Sequence, residues 1–141
     1  MTRHEIRKEI FKAVFQQNFH KNEEMDEIVE TFLVHRDFAE EEDLIKNDKS
    51  VEDEAYIREK VADILSKTEE LDALINEKAD NWKTTRMTKV DLTLIRLGLY
   101  EIKYEGIDTG IAINEAVTIA DEFGTDNSSS FVNGVLAKLA K

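Results

Sequence analysis

The chain has 141 residues, 41% of them apolar, with 31 acidic against 19 basic side chains, a formal charge of −12, and neither cysteine nor proline. That length suits one domain with a real core, and the lack of cysteine excludes disulfides and thiolate chemistry. Residues 1–22 carry five Lys/Arg against two acids, residues 81–141 seven against eight, and residues 23–80 seven against twenty-one, so a local anion-binding patch stays open despite the acidity.

The first helix is expected over residues 4–18, with Ile6, Ile10, Ala13 and Val14 on one arc and Phe11 and Phe15 widening it. Arg7 interrupts that arc and on helix geometry alone reads as a snorkelling side chain. The second helix is expected to start after Asn22, a good cap followed by Glu23 and Glu24, to bury Met25, Ile28, Val29, Phe32 and Leu33, and to end near His35. Residues 37–49 read as a polar loop with a turn of helix around residues 41–45. Ser50 with Asp53 approximates a capping box for the third helix, whose Ile57, Val61, Ile64 and Leu65 share a face. Ser66 with Glu69 repeats the signal, which implies a tight junction to an antiparallel fourth helix burying Leu71, Leu74, Ile75 and Trp82.

Thr88 and Asp91 open a fifth helix reaching Tyr104, the most buried of all. Val90, Leu94 and Leu97 line one side, Leu92, Ile95, Leu99 and Ile102 another, and Gly98 between them allows a close helix neighbour. Lys89, Thr93, Arg96, Tyr100 and Lys103 form its single polar strip, expected to face solvent. Residues 111–139 hold two more amphipathic patterns. Ala112, Ile113, Ala116, Val117, Ile119, Ala120 and Phe123 precede Gly124, which suits a left-handed cap; Phe131, Val132, Val135, Leu136 and Leu139 follow Ser128, Ser129 and Ser130, which suit N-capping. Asn133 and Gly134 lie outside that second arc. Glycine inside a helix costs roughly 1 kcal/mol relative to alanine, so Gly134 asks for something that approaches it closely.

The expectation is an all-α fold of about seven helices in two packed bundles, a single domain over residues 1–141. No run approaches the ~20 apolar residues of a membrane span, and no signal peptide precedes the first helix, which points to the cytoplasm and to no membrane partner. His4, His20 and His35 lack metal-ligand spacing, and no Gly-rich phosphate loop follows a strand, so no cofactor or metal is expected. No histidine is placed by sequence to activate the serine run, and the carboxylates lie on solvated faces. Binding, not catalysis, remains.

The segments AINEAV (residues 112–117), the helix-ending FG and FVNGVL (residues 131–136) resemble the carboxy-terminal signature of the NusB family of bacterial transcription antitermination proteins. The resemblance continues in WKTTRMTKVDLTLIRLGLYE (residues 82–101) and in residues 3–16. It implies the NusB-like fold and a factor that binds the boxA element of nascent ribosomal RNA leaders. The implied partners are single-stranded boxA RNA, the small-subunit ribosomal protein that doubles as NusE, and NusA, NusG and RNA polymerase. On that resemblance Arg3, His4, Arg7, Gln16, Arg96, Asn127, Ser128 and Phe131 bind RNA, while Phe15 and Asp91 face NusE. Relatives carry further arginines where His4 and Glu5 stand here, Lys or Arg where Ser130 stands, and proline at Asp108 or Thr109. Two alternatives stay open. One is the NusB-like domain of ribosomal RNA cytosine methyltransferases, which would expect a cofactor-binding α/β domain after Lys141; the other is an acidic helical interaction module with no RNA role. Some relatives self-associate through surfaces overlapping the RNA site, so a homodimer is a further partner to consider.

Overall fold

The computed structural model describes residues 2–40, 48–79 and 81–141. Among the described residues there are seven α-helices, three short 3-10 turns and no strand. The chain divides into two compact units, residues 1–65 and 66–141. No helix among the described residues is long and apolar enough to cross a membrane.

In the first unit, helix α1 (Arg3–Phe15) starts at a two-sided capping box. The Glu5 N–H donates to Thr2 Oγ1 at 3.1 Å, and the Thr2 N–H donates to the Glu5 carboxylate at 3.2 Å. Two otherwise orphaned donors are thereby satisfied, which fixes where α1 begins. Ile10, Phe11, Ala13 and Val14 are buried as the periodicity requires, and the helix tightens into a 3-10 turn at Gln16–Asn18. Helix α2 (Met25–Glu40) grows directly out of a 3-10 turn (Asn22–Glu24), so Asn22 is not its cap. It runs past His35 to Glu40, and helix α3 (Asp48–Ser66) begins two residues before Ser50. Residues 37–40 and 48–49 are therefore helical where a loop was expected. Ala39, Glu40 and Lys49 are good helix formers, and neither stretch holds a Gly or Pro to oppose the helix. The turn expected at residues 41–45 lies outside the described residues. Ile57, Val61 and Ile64 of α3 are buried. On the outer side Arg58 donates to Glu54 at 2.8 Å, one turn away, and to Glu30 of α2. These hydrogen bonds, Glu54 first, raise the guanidinium pKa above its already high ordinary value.

In the second unit, helix α4 (Thr68–Lys78) follows α3 after Lys67 alone, a junction as tight as expected. Lys67 stands at the cap position and makes no side-chain cap bond, so the expected Ser66 box does not start α4. Leu71 and Ile75 are buried and Leu74 partly so, whereas Trp82 lies beyond the end of α4 and is 51% exposed. Its expected place in the buried stripe is wrong because the helical phase stops at Lys78.

Helix α5 (Lys89–Tyr104) is the centre of this unit; α4, α6 (Thr109–Phe123) and α7 (Ser128–Leu139) all pack on it. Thr88 Oγ1 accepts the Asp91 N–H at 3.2 Å, the cap read from sequence. Every residue from 91 to 101 is buried, which corrects the expected solvated strip: Thr93, Arg96 and Tyr100 are inside, and only Lys89 and Lys103 near the ends are exposed. Thr93 is accommodated by donating its hydroxyl to the Lys89 carbonyl at 2.7 Å. A Cβ at Gly98 would stand 2.8 Å from Leu136 Cδ1, so the glycine is where α7 seats on α5.

Two further helix ends differ from expectation. Gly124 is extended (φ −93°, ψ −167°), not left-handed. Its glycine is required by close approach, since a Cβ there would meet Ser128 Oγ at 2.4 Å. The left-handed residue is Gly106 (φ 63°), just past α5. Asp108 caps α6 by accepting the Ile111 N–H at 3.2 Å. Asn127 stands at the cap position of α7, and Ser128 is already the first helical residue.

Candidate nucleic-acid interface

In the first unit, Arg3 is exposed and His4 half-buried on the first turn of α1. The positive end of the helix dipole adds to the charge of Arg3, and Glu5 partly offsets it. Arg7 is buried one turn later, so most of its stem is packed. Gln16 is half-buried in the 3-10 turn. Phe15 sits between two rings, stacked on Phe11 at 5.7 Å and edge-on to Phe19 at 5.2 Å. Phe19 is 54% exposed, so three aromatics at four-residue spacing lead from the core to the surface. Sequence reading missed Phe19, although that spacing was visible.

In the second unit, Asn127 is exposed at the α6–α7 turn. Ser128 beside it is wholly buried: its Oγ accepts the Thr125 N–H at 2.9 Å and lies 3.3 Å from Thr125 Oγ1. That hydroxyl shapes the turn and does not face outward. Ser129 donates to Asp121, tying the start of α7 to α6. Arg96 is 8% exposed and donates through Nε and Nη2 to the two oxygens of Asp72, each at 2.7 Å. Asp91 is 6% exposed, and its Oδ1 is buried with no hydrogen-bond partner among the described residues. Phe131 is half-buried and meets Trp82 edge-on, with ring centroids 5.0 Å apart and planes at 80°. The structure thus joins Phe131 to an aromatic residue that sequence reading had put in the core.

Residues 4–141 match the model of the NusB family. The chain belongs to the NusB family. It is 47% identical over 141 residues to the transcription antitermination protein NusB of Agathobacter rectalis, covering 99% of this chain and 100% of that one. It is 41% identical over 103 residues to the NusB protein of Ruminiclostridium cellulolyticum, covering 72% and 68% of the two chains. Among solved structures, T. maritima NusB superposes with a TM-score of 0.81 at 30% identity over 99% of this chain and 91% of that one. A chain from the crystal structure of a plectonemic RNA supercoil shares the fold, with a TM-score of 0.74 at 21% identity over 98% and 94% of the two chains. The resemblance read from AINEAV and FVNGVL is thereby established, as is the all-α NusB fold. Membership makes transcription antitermination the function of this chain.

Proposed function

We propose that the chain suppresses termination by binding the boxA element of nascent ribosomal RNA leaders together with NusE, in a cytoplasmic complex with NusA, NusG and RNA polymerase. The observation that carries this reading is Arg3, exposed on a firmly capped helix within residues 1–22, where five cations stand against two acids in a chain of net charge −12. Residues 1–141 act as one RNA-binding domain. In the first unit, Arg3, His4, Arg7 and Gln16 contact the sugar–phosphate backbone. In the second, Asn127 and Phe131 take unstacked bases, which single-stranded RNA presents to amides and aromatic rings. Burial gives Arg96 and Ser128 supporting parts in the same unit: Arg96 fixes α5 to α4, and Ser128 fixes the turn that carries Asn127. Phe15 and Asp91 serve NusE, the one as a ring partly outside the core, the other from the first turn of α5.

The test is binding of fluorescently labelled boxA RNA with and without NusE across a salt series. Binding at low salt, strengthened by NusE and falling with a log–log slope of about −0.7 per phosphate contact, is expected. Absence of binding at low salt with NusE present rejects the proposal.

A further inference from the structure

Trp82 is an unusual residue to find outside a core. Burying a large apolar side chain stabilises a fold, and at 51% exposure much of that is forgone. The residue is nonetheless held firmly. Its own N–H donates to the Ala79 carbonyl at 2.6 Å, the Thr84 N–H donates to Asn76 Oδ1 at 2.9 Å, and Lys83 Nζ donates to the Asn76 carbonyl at 3.1 Å. These bonds fix the backbone around Trp82 against the end of α4, and the indole itself meets Phe131 edge-on.

Beside the two rings runs a groove of about 340 Å³ bordered by Asn81, Ser130, Gly134 and Lys138. Gly134 has no conformational reason to be glycine, because Gly106 is the glycine with a left-handed φ. It has no packing reason either, since a Cβ there would meet no atom of the chain within 4 Å. A mid-helix glycine that weakens its helix and serves nothing inside the molecule leaves bare helix backbone for something outside it. The chemistry around that space is two aromatic rings, an amide, a hydroxyl and an ammonium. An aromatic ring accepts the π-face of any base, amide and hydroxyl groups reach base edges, and a lysine suits phosphate.

We infer that Trp82 and Phe131 form a stacking platform for one unstacked base of single-stranded RNA, with the base lying in the groove over Gly134. The inference rests on the RNA-binding reading above and adds to it Trp82, the groove and the bare helix face.

Trp82 is the only tryptophan in the sequence, so its emission reports this place alone. The full chain is titrated with boxA RNA carrying a terminal fluorophore; anisotropy reads binding and indole emission reads stacking. Quenching in step with anisotropy is expected. Trp82→Ala should weaken binding by about 5- to 150-fold at an unchanged melting temperature, the range that loss of one stacked base gives, and Trp82→Phe should keep most of the affinity. With abasic RNAs, one position should become insensitive to Trp82→Ala. RNA that binds the parent without changing the emission, and binds Trp82→Ala equally well, overturns the platform and leaves the RNA reading standing. Emission that responds to NusE alone and not to RNA gives the groove to a protein and overturns the platform too. No RNA binding under any condition overturns both.

Discussion

Arg96 of α5 and Asp72 of α4 meet as a planar fork, two parallel hydrogen bonds of 2.7 Å between side chains only 10% and 25% exposed. A bidentate pair this enclosed is a clasp between helices, so Arg96→Lys, which cannot reproduce the fork, should cost about 1–3 kcal/mol of folding stability. Urea unfolding measures it. An unchanged unfolding midpoint accompanied by lost RNA affinity would return Arg96 to the role of a direct RNA contact.

Gly98 gives a sharper test of packing. With Leu136 Cδ1 only 2.8 Å from where a Cβ would stand, and Leu136 fully buried, Gly98→Leu has nowhere to put its side chain. A loss of roughly 1–3 kcal/mol or more is expected, visible as a lower melting temperature. Adding Leu136→Ala should restore part of it, because residues in direct contact couple by about 0.5–3 kcal/mol. A melting temperature untouched by Gly98→Leu would remove α5 from the centre of its unit.

At the amino terminus, Glu5 closes the capping box with Thr2. Glu5→Arg trades the carboxylate half of that box for a cation in the first turn, while Thr2 still accepts the backbone N–H of residue 5. Stability should fall by about 0.3–1 kcal/mol while boxA RNA binds more tightly at low salt, the gain fading as salt rises. Paired unfolding and binding measurements on the one variant decide it; weaker RNA binding would place the nucleic acid away from this turn.

Gly134→Leu separates the two demands on α7. A Cβ at this position meets no atom of the chain within 4 Å and the change improves helix propensity, so the melting temperature should hold or rise, by up to about 1 kcal/mol in stability. RNA affinity should drop because the groove is filled. A destabilised variant would mean that the fold itself requires this glycine.

Periodicity made the buried faces legible: Leu94, Leu97 and Leu136 were read as core and are fully or almost fully buried. The Thr88 cap was equally plain, because its partner Asp91 lies three residues away. What escaped depended on distant parts of the chain. Nothing near Arg96 announces a partner 24 residues earlier, so a polar strip looked solvated although its Thr93, Arg96 and Tyr100 are enclosed. Trp82 looked like core because of its size, although the helix that would have carried it inward had already ended. The extra turns of α2 and α3 were hidden by acidic residues that look loop-like yet propagate a helix. For the site, the surface positions of Arg3 and Asn127 follow from the amphipathic pattern, while their assignment to RNA came through family resemblance and not from spacing.

The hydroxyl of Ser128, sealed from water and engaged by Thr125, has a kinetic consequence. Ordering a mobile side chain or loop on association costs roughly 0.5–1.5 kcal/mol per side chain immobilised, and slow rearrangement can limit the rate of capture. Between α6 and α7 that ordering is completed as the chain folds, with Gly124 leaving just enough room for the serine to close the turn. Whatever docks against Asn127 therefore meets a turn in which Thr125 and Ser128 are already joined, so that part of the ordering is not left to association.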